Sequence, residues 1–336
     1  MTHHSKLVSP ALITLINGDG IGQEVIPAAR AVLEALNLPI TIQTADAGFA
    51  TFEQRGEALP AATLALCEAS DAVLFGATQS PMTKVAGYRS PILALRRHFD
   101  LFANLRPAVA GEIDLLVVRE NTEGMYSGRE RLEDDGATAI LERIVTARAS
   151  ERIVRAACEQ AMQRRRKLTI VHKANVLKET CGLFRRIAFD VVKEHPELEV
   201  GELLVDTAAF QLAQDARRFD VIVTTNLFGD ILSDLAAGLT GGLGLAASAN
   251  VGTGRTAVFE PVHGSAPDIA GKGIADPRAA ILSVGMMLDH LGFHAQADKV
   301  RRVTYNTPHS GSTSATARLI AEALAGVAQD EIELQS

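Results

Sequence analysis

The sequence predicts an α/β protein with a largely parallel sheet. Short β-rich runs alternate with amphipathic helical stretches along the chain, an order typical of strands joined by crossover helices. The predicted strands cover residues 12–16, 72–75, 115–118, 168–171 and 221–224. The predicted helices, with apolar residues three and four positions apart, cover 24–36, 150–163, 182–193 and 277–291. Residues 134–147 alternate more like strands and are a candidate for an arm.

The length and composition predict two domains and exclude several classes of protein. With 336 residues, 47% of them hydrophobic, the chain can bury a large core. The net charge of −7 argues against a protein that binds nucleic-acid backbones, because such proteins gather Lys and Arg on one face. The first residues have the pattern of neither a signal peptide nor a membrane span. We therefore expect no nucleic-acid and no membrane partner.

The cysteines give a hint about the cellular compartment. Cys67, Cys158 and Cys181 lie far apart and show no CxxC spacing. This pattern favours neither a disulfide framework nor a thiolate zinc site. We therefore expect a cytoplasmic location, where thiols stay reduced.

A glycine-rich turn follows the first predicted strand. Gly18, Gly20 and Gly22 form the sequence GDGIG directly before a helix, where backbone amides can approach an anionic or nucleotide ligand. The dinucleotide-binding spacing Gly-x-Gly-x-x-Gly fails at Gln23, so this turn is not a Rossmann fingerprint. A tight strand-to-helix turn without any ligand is the alternative.

Three arginines are candidates for binding a di- or tricarboxylate. Arg96 lies on a predicted helix, Arg106 lies in the sequence LRP, and Arg119 ends a predicted strand. Guanidinium groups match the geometry of carboxylates with paired hydrogen bonds. Each arginine alone is also typical of a surface ion pair.

Asp230 and Asp234 are candidates for holding a divalent cation. They lie four residues apart in the apolar helical stretch NLFGDILSD, so both carboxylates are on one helix face. A cation between them would relieve their repulsion, and oxygen ligands suit Mg²⁺ or Mn²⁺. Asp206, at the end of the predicted strand LLVD, is a candidate third ligand. A solvated acidic face is the alternative.

Lys173, Asn175 and Tyr126 are candidates for proton transfer or ligand binding. Lys173 and Asn175 end the predicted strand LTIVHK, and Tyr126 follows RENTEGM. Amines and phenols ordinarily have pKa values of about 10, so acid–base work near neutrality needs a nearby cation or desolvation. Taken separately, these side chains are also typical of packing positions.

Taken together, these stretches resemble the β-decarboxylating dehydrogenases, the family of isocitrate, isopropylmalate and homoisocitrate dehydrogenases. The resemblance runs from Gly18 to about Thr316, and is carried by GDGIG, RENTEGMYSG, HKANVL, NLFGDILSDLAAGLTGGLGLAASANVG and FEPVHGSAPDIAGKGIADP. It implies a two-domain α/β fold that is not a Rossmann fold, with an active-site cleft between the domains. The large cofactor-binding domain would comprise residues 1–100 and 252–336. The small domain, residues 101–251, would carry the dimer contacts and the metal and catalytic residues.

The resemblance also implies roles for individual residues. Asp230 and Asp234 of one subunit and Asp206 of its neighbour would hold Mg²⁺ or Mn²⁺ in a homodimer with shared sites, which could assemble further to a tetramer. Lys173, also from the neighbour, would be the base, and Tyr126 the acid. The residues expected to bind the substrate are Ser80, Arg89, Ser90, Arg96, Arg106, Arg119, Tyr126, Lys173 and Asn175.

The expected cofactor is NAD. Where NADP-using relatives resemble Lys-Tyr, this chain has Asp268 and Ile269, and a carboxylate repels a 2′-phosphate but accepts a bond from a ribose hydroxyl. Asp276 and His309 depart from the family, which usually has Asn and Asp there. The residues expected to bind the cofactor are Ile21, Thr78, Asn175, His263, Gly264, Ser265, Ala266, Asp268, Ile269 and Asp276.

The expected substrate is homoisocitrate, which would be oxidised and decarboxylated to 2-oxoadipate and CO₂ in lysine biosynthesis through 2-aminoadipate. The segment before Arg96 most resembles homoisocitrate dehydrogenases, and the cation Arg89 suits a distal carboxylate. Ser90 matches isocitrate enzymes, but Ile92 stands where they carry Asn. Isocitrate is the second choice and 3-isopropylmalate the third. A non-catalytic regulatory subunit is the alternative from another class.

Overall fold

The computed structural model describes residues 10–333, which divide into two compact units. Unit 1 contains the chain up to Phe99, Leu243–Ala249 and the chain from Gly254 onward. Unit 2 contains Asp100–Gly242 and Asn250–Thr253.

The elements alternate between strands and helices over most of the chain. The strands are β1 (Ala11–Gly18), β2 (Ile40–Ala45), β3 (Ala72–Ala77), β4 (Ala103–Ala110), β5 (Ile113–Glu120), β6 (Glu130–Glu133), β7 (Thr138–Leu141), β8 (Lys167–His172), β9 (Glu199–Leu204), β10 (Val221–Thr224), β11 (Ala247–Val251) and β12 (Ala257–Pro261). The helices are α1 (Gly22–Ala35), α2 (Phe49–Arg55), α3 (Ala61–Ala69), α4 (Pro91–His98), α5 (Ala147–Met162), α6 (Thr180–Val192), α7 (Val205–Asp215), α8 (Asn226–Leu239), α9 (Arg278–His290), α10 (His294–Asn306) and α11 (Thr313–Glu333).

The strands of unit 1 follow the order β2-β1-β3-β12-β11. β1 pairs in parallel with β2 and β3, and β12 pairs in parallel with β3. All six residues of β3 are buried, as expected for a strand of a parallel sheet covered on both faces. Helices α1 and α9 pack on this sheet, α11 packs against α1, and most of α9 is buried.

The strands of unit 2 follow the order β4-β5-β10-β8-β9. β4 is antiparallel to β5, while β5, β10, β8 and β9 are parallel to one another. Alternate residues of these strands enter two different cores. Leu116 and Val118 of β5 pack with residues of α5 and α6, whereas Leu115 and Val117 pack with residues of α7 and α8. The sheet of unit 2 is therefore buried on both faces.

The sequence-based prediction of an α/β fold is confirmed. Each predicted strand and helix corresponds to an observed element, with ends that differ by a few residues. The predicted strand LLVD ends at Leu204, and Asp206 already belongs to the first turn of α7. The predicted arm is a two-stranded antiparallel hairpin of β6 and β7, and its first strand lies before the predicted segment.

Two further expectations concern the cysteines and membrane segments. Cys67, Cys158 and Cys181 are all free and buried. Among the described residues no helix is long and apolar enough to cross a membrane.

Candidate active site

Several candidate residues lie near the carboxyl ends of parallel strands in unit 2. β5, β10, β8 and β9 run in one direction, so their carboxyl ends lie along one edge of the sheet, where α/β proteins place ligands. Arg119 is the last but one residue of β5, Lys173 follows β8, and Asp206 follows β9. Asn226 begins α8 shortly after β10. The topology therefore brings to one edge groups that are far apart in the chain.

The Asp230 carboxylate is the centre of a hydrogen-bonded cluster. It accepts bonds from Arg106 Nη1 at 3.0 Å, from Arg119 Nη1, and from the Tyr126 hydroxyl at 2.7 Å. Asp234, one turn further along α8, lies 3.4 Å from Arg106 Nη1. Two guanidinium groups thus face the pair of carboxylates and reduce their mutual repulsion.

Both arginines are buried and are held by neutral side chains as well as by Asp230. Arg106 Nε donates to Asn104 Oδ1 at 2.6 Å, two residues earlier on β4. Arg119, only 1% exposed, donates through Nε and Nη2 to Asn226 Oδ1 at 3.0 and 2.7 Å. A buried cation needs such complete pairing, since desolvation costs several kcal/mol per ion. The orientation of both guanidinium groups is therefore well determined.

Tyr126 lies in a short 3₁₀ turn, Met125–Ser127, which follows β5. Its hydroxyl donates to Asp230 Oδ2, and the Arg119 guanidinium carbon lies 5.2 Å from the centre of its ring. Burial, followed by the hydrogen bond and charge of Asp230, raises the pKa of Tyr126 above its usual value. The phenol therefore stays protonated at neutral pH and is available as a proton donor.

The environment of Asp234 favours a bound cation. The Asp234 side chain is 53% exposed. Its partial burial, and to a smaller extent the charge of Asp230, raises the pKa of Asp234, although Arg106 opposes this shift. A cation beside both carboxylates would stabilise their charged forms and so lower the pKa of Asp234. However, no group of three acidic, histidine or cysteine side chains within the described part of the chain is arranged to hold a metal ion. Asp230 and Asp234 are thus a pair of candidate metal ligands.

Lys173 and Asp206 form a separate ion pair at the ends of β8 and β9. The two strands pair in register up to His172 and Leu204, which brings the following residues together. Lys173 Nζ donates to Asp206 Oδ1 at 2.6 Å, and this bond lowers the pKa of the Asp206 carboxyl. The exposed Asn175 lies two residues after Lys173. Among the described residues, Asp206 thus pairs with Lys173, whereas the side chains seen to bond to Asp230 are Arg106, Arg119 and Tyr126.

In unit 1, the glycine turn after β1 packs against the loop after β12. The backbone N–H of Ile21 donates to the Ser265 carbonyl at 2.9 Å. A Cβ atom on Gly20, which has φ +55°, would lie 2.1 Å from that carbonyl, so the contact requires glycine. The candidate residues Gly264, Ser265, Ala266, Asp268 and Ile269 thus lie in a loop that touches the GDGIG turn.

One ring nitrogen of His263, in this loop, lacks a partner among the described residues, while the other, Nδ1, lies 3.1 Å from the Gly264 carbonyl. The Nε2 atom of His263 is buried and has no hydrogen-bond partner in the part of the chain that the structure describes, and burial lowers the pKa of the imidazole. Such a neutral, partly unsatisfied imidazole is suited to a polar ligand rather than to packing alone.

Asp276 and His309, the two residues expected to differ from the family pattern, both have protein partners. Asp276 pairs with Arg278 at 2.7 Å. His309 lies 2.9 Å from the Thr316 hydroxyl, and its Nε2 is 3.1 Å from the Ile274 carbonyl, so it donates there. His309 therefore connects the segment after α10 to the segment that carries Asp276.

The remaining candidates of unit 1 lie near α4. Arg96, on α4, pairs with Glu260 at 2.8 Å, while its Nε is buried without a partner among the described residues. Ser80 and Arg89 are exposed, Ser90 directly precedes α4, and Thr78 follows β3. Within residues 10–326, Arg89 forms no ion pair.

Comparisons with known proteins show the family of the chain. The family model described as isocitrate/isopropylmalate dehydrogenase matches residues 12–331. The chain belongs to this family. It is 56% identical over 298 residues to an isocitrate/homoisocitrate dehydrogenase of Thermus thermophilus, covering 86% of this chain and 88% of that protein. It is 52% identical over 308 residues to a 3-isopropylmalate dehydrogenase of Archaeoglobus fulgidus, covering 89% and 92%.

A solved structure shows the same fold. The crystal structure of isocitrate dehydrogenase from Methylococcus capsulatus superposes with a TM-score of 0.89 and 43% identity, covering 94% of this chain and 99% of that one. The resemblance and the isocitrate dehydrogenase-like fold that the sequence predicted are thus confirmed. The protein is an enzyme and an oxidoreductase of the β-decarboxylating dehydrogenase family. Members of this family generally use NAD or NADP and a divalent metal.

Sequence reasoning missed the polar residues that support the candidate arginines. Asn104, Asn226 and Ser233 bind Arg106 or Arg119, and Glu260 pairs with Arg96. The spacing of Asn104 and Arg106, two residues apart on one strand, is a signal that they share a face. No such signal links Glu260 to Arg96, because the two residues meet only through the fold.

Proposed function

We propose that the protein oxidises and decarboxylates homoisocitrate to 2-oxoadipate and CO₂ with NAD as the hydride acceptor. The observation that carries this proposal is the convergence of Arg106, Arg119 and Tyr126 on the Asp230 carboxylate. Cations for substrate carboxylates, a protonated phenol and an acidic pair are the groups that oxidative decarboxylation of a hydroxy acid needs. The reaction would belong to lysine biosynthesis through 2-aminoadipate, in the cytoplasm.

Asp230 and Asp234 fit a divalent cation such as Mg²⁺ or Mn²⁺. Both offer only oxygen ligands and lie on one face of α8. We assign the third ligand to Asp206 of a second copy, since Asp206 is paired with Lys173 apart from them. When bound, the cation supplies positive charge beside the substrate hydroxyl oxygen.

The cofactor is proposed to be NAD, held by the loop after β12 and by Ile21, Thr78, Asn175 and Asp276. The unsatisfied Nε2 of His263 offers a hydrogen bond to such a ligand. Asp268 is exposed, so its carboxylate can meet a ribose hydroxyl but would repel a 2′-phosphate. NAD, when bound, accepts the hydride from the carbon that bears the hydroxyl.

The residues of the chain then divide the proton transfers between them. Lys173 of the second copy takes the hydroxyl proton, directly or through water, as hydride leaves the same carbon. After CO₂ departs, Tyr126 donates its proton to the carbon that carried the lost carboxylate. Arg96, Arg106 and Arg119 hold the substrate carboxylates, with Ser80, Ser90 and Asn175 as further polar contacts.

The choice of homoisocitrate rests on Arg89 and on the relatives. Arg89 is exposed, and the part of the chain that the structure describes provides no ion pair for it, so it can meet a distal carboxylate. The Thermus relative is named for isocitrate and homoisocitrate, whereas the Archaeoglobus relative is named for 3-isopropylmalate. Isocitrate and 3-isopropylmalate are therefore the alternative substrates.

A homodimer with shared sites is proposed from the exposed apolar residues of two adjacent helices. Phe210 on α7 is 61% exposed and Ile231 on α8 is 55% exposed, and these helices pack together. Such residues are typical of a contact with another protein surface. Light scattering of the full chain would measure whether it forms monomers, dimers or tetramers.

The experiment that tests the proposed function uses the purified chain alone. NADH formation is measured with homoisocitrate, isocitrate, 3-isopropylmalate, malate and tartrate, with Mg²⁺ and then with a chelator. The highest kcat/KM is expected for homoisocitrate, with loss of activity in the chelator. A higher kcat/KM for another acid would replace the proposed substrate. Absence of turnover with all of them would instead favour a non-catalytic subunit.

A further inference from the structure

We propose that Asp19 and Tyr88 are positioning residues for substrate selection. They hold both ends of the selection loop, defined as residues 78–90 between β3 and α4. The proposal rests on the proposed function for the identity of the substrate and extends it to residues that act through Arg89.

Asp19 anchors the first end of the loop. This aspartate of the GDGIG turn is buried, and its carboxylate accepts a bond from the Gln79 N–H at 2.9 Å. The same carboxylate accepts bonds from the N–H groups of Phe49 at 2.7 Å and Ala50 at 3.0 Å, at the start of α2. Gly48 has φ +130°, and a Cβ atom there would lie 2.5 Å from Asp19 Oδ2. The carboxylate therefore ties the selection loop and α2 to one point.

Tyr88 closes the second end of the loop. Its hydroxyl donates to the Gln79 carbonyl at 2.8 Å. Its ring meets Phe49 and Phe52 of α2 edge-on, with both pairs of ring centres 5.4 Å apart and interplanar angles of 73° and 79°. Edge-to-face pairs of this kind stabilise their contact beyond simple burial. Gln79 and Tyr88 are thus joined to each other and to α2.

The two ends of the selection loop are held by these contacts, whereas its tip is exposed. Ser80 directly follows Gln79, and Arg89 directly follows Tyr88, so both proposed substrate contacts are next to the held residues. Met82, by contrast, lies in the tip and is fully exposed. The residues assigned to selection therefore lie where the loop backbone is held, and the exposed tip contributes none of them.

The long side chain of Arg89 can select a substrate only if the backbone of Arg89 is held in place. A guanidinium group on an exposed side chain reaches a carboxylate reproducibly only if its backbone is held, and a displacement of about 1 Å can reduce activity on the order of 100-fold. Loosening Tyr88 should therefore lower kcat/KM for a substrate with a distal carboxylate. Isopropylmalate, which has an apolar group there, should be affected less.

The test compares Tyr88→Ala, Tyr88→Phe and the control Met82→Ala in the full chain. The first measurement is the ratio of kcat/KM for homoisocitrate to that for 3-isopropylmalate. The second is amide hydrogen exchange of residues 78–90. Tyr88→Ala should lower the ratio about tenfold and speed exchange in this segment. Tyr88→Phe, which keeps the ring, should show a smaller effect in both, and Met82→Ala should match the wild type.

The outcomes separate this inference from the proposed function. An unchanged ratio, or unchanged exchange, in Tyr88→Ala overturns the inference. A wild type that prefers 3-isopropylmalate refutes the proposed substrate, while the exchange measurement still tests whether Tyr88 holds the loop. If the wild type turns over no hydroxy acid, the proposed function fails and the exchange result alone decides whether the loop is held.

Discussion

Replacing Tyr126 by phenylalanine tests the acid–base chemistry most directly. The change removes the hydroxyl that donates to Asp230 at 2.7 Å, but it keeps the ring beside Arg119. Both arginines bond to Asp230 Oδ1, whereas Tyr126 bonds to Oδ2. The Asp230 side chain is 29% exposed, so water can replace the lost donor, and the free energy of unfolding should fall by only about 1 kcal/mol. If Tyr126 is the general acid, kcat should instead fall on the order of 100-fold, which corresponds to about 2.7 kcal/mol of activation free energy.

The assay measures kcat and KM for oxidative decarboxylation and, separately, the reduction of a supplied β-keto acid. Because protonation of the carbon follows the loss of CO₂, reduction of the keto acid should be affected less than the overall reaction. Urea unfolding measures the change in stability, and Tyr305→Phe on α10 is the control for loss of a hydroxyl. A Tyr126→Phe enzyme with wild-type kcat, or with a change confined to KM, would show that the phenol is not the acid.

Three more predictions follow from the same structure. Asp234→Asn, at an exposed position of α8, should raise the metal concentration needed for activity with little loss of stability, whereas Asp230→Asn should also destabilise the fold because it removes the counterion of Arg119; metal titration and urea unfolding distinguish them. Replacing Asp268 and Ile269 by Lys and Tyr should shift the ratio of kcat/KM values towards NADP; a wild type that already prefers NADP contradicts this reading. The bonds that Arg185 and then His172 donate to Glu202 lower the pKa of this carboxyl to about 2. The stability it contributes is therefore present above its ordinary pKa of 4.5 and lost as pH falls from there towards 2, so the destabilisation caused by Glu202→Gln at pH 7 should shrink at pH 3.

Local patterns in the sequence predicted much of the fold. The buried strands β1, β3, β5, β8 and β10 are short apolar runs, and the amphipathic helices between them have a clear three-and-four spacing. The first strand of the hairpin was harder to predict, because β6 is polar and exposed along its whole length, whereas β7 shows the alternation that indicated an arm. The end of β9 was misplaced because apolar residues continue from the strand into α7, and periodicity alone does not mark that boundary.

The candidate site was predicted mainly from sequence motifs shared with the family, and only partly from the spacing of residues. The spacing of Asp230 and Asp234 placed both on one helix face, which follows from helix geometry. That Arg106, Arg119 and Tyr126 all reach Asp230 depends on the order of β4, β5 and the turn after β5, and no spacing in the sequence encodes that order.

The sequence by itself determined the class of fold, the family and the identity of the chemically active groups, because these depend on residue types at short spacings. Only the tertiary structure decided which groups share partners. It paired Lys173 with Asp206 apart from Asp230, left Nε2 of His263 without a partner among the described residues, and joined Asp19 and Tyr88 to the same loop. Hydrogen bonds and ring contacts depend on distances between residues far apart in the chain, and those distances exist only after strands and helices have packed.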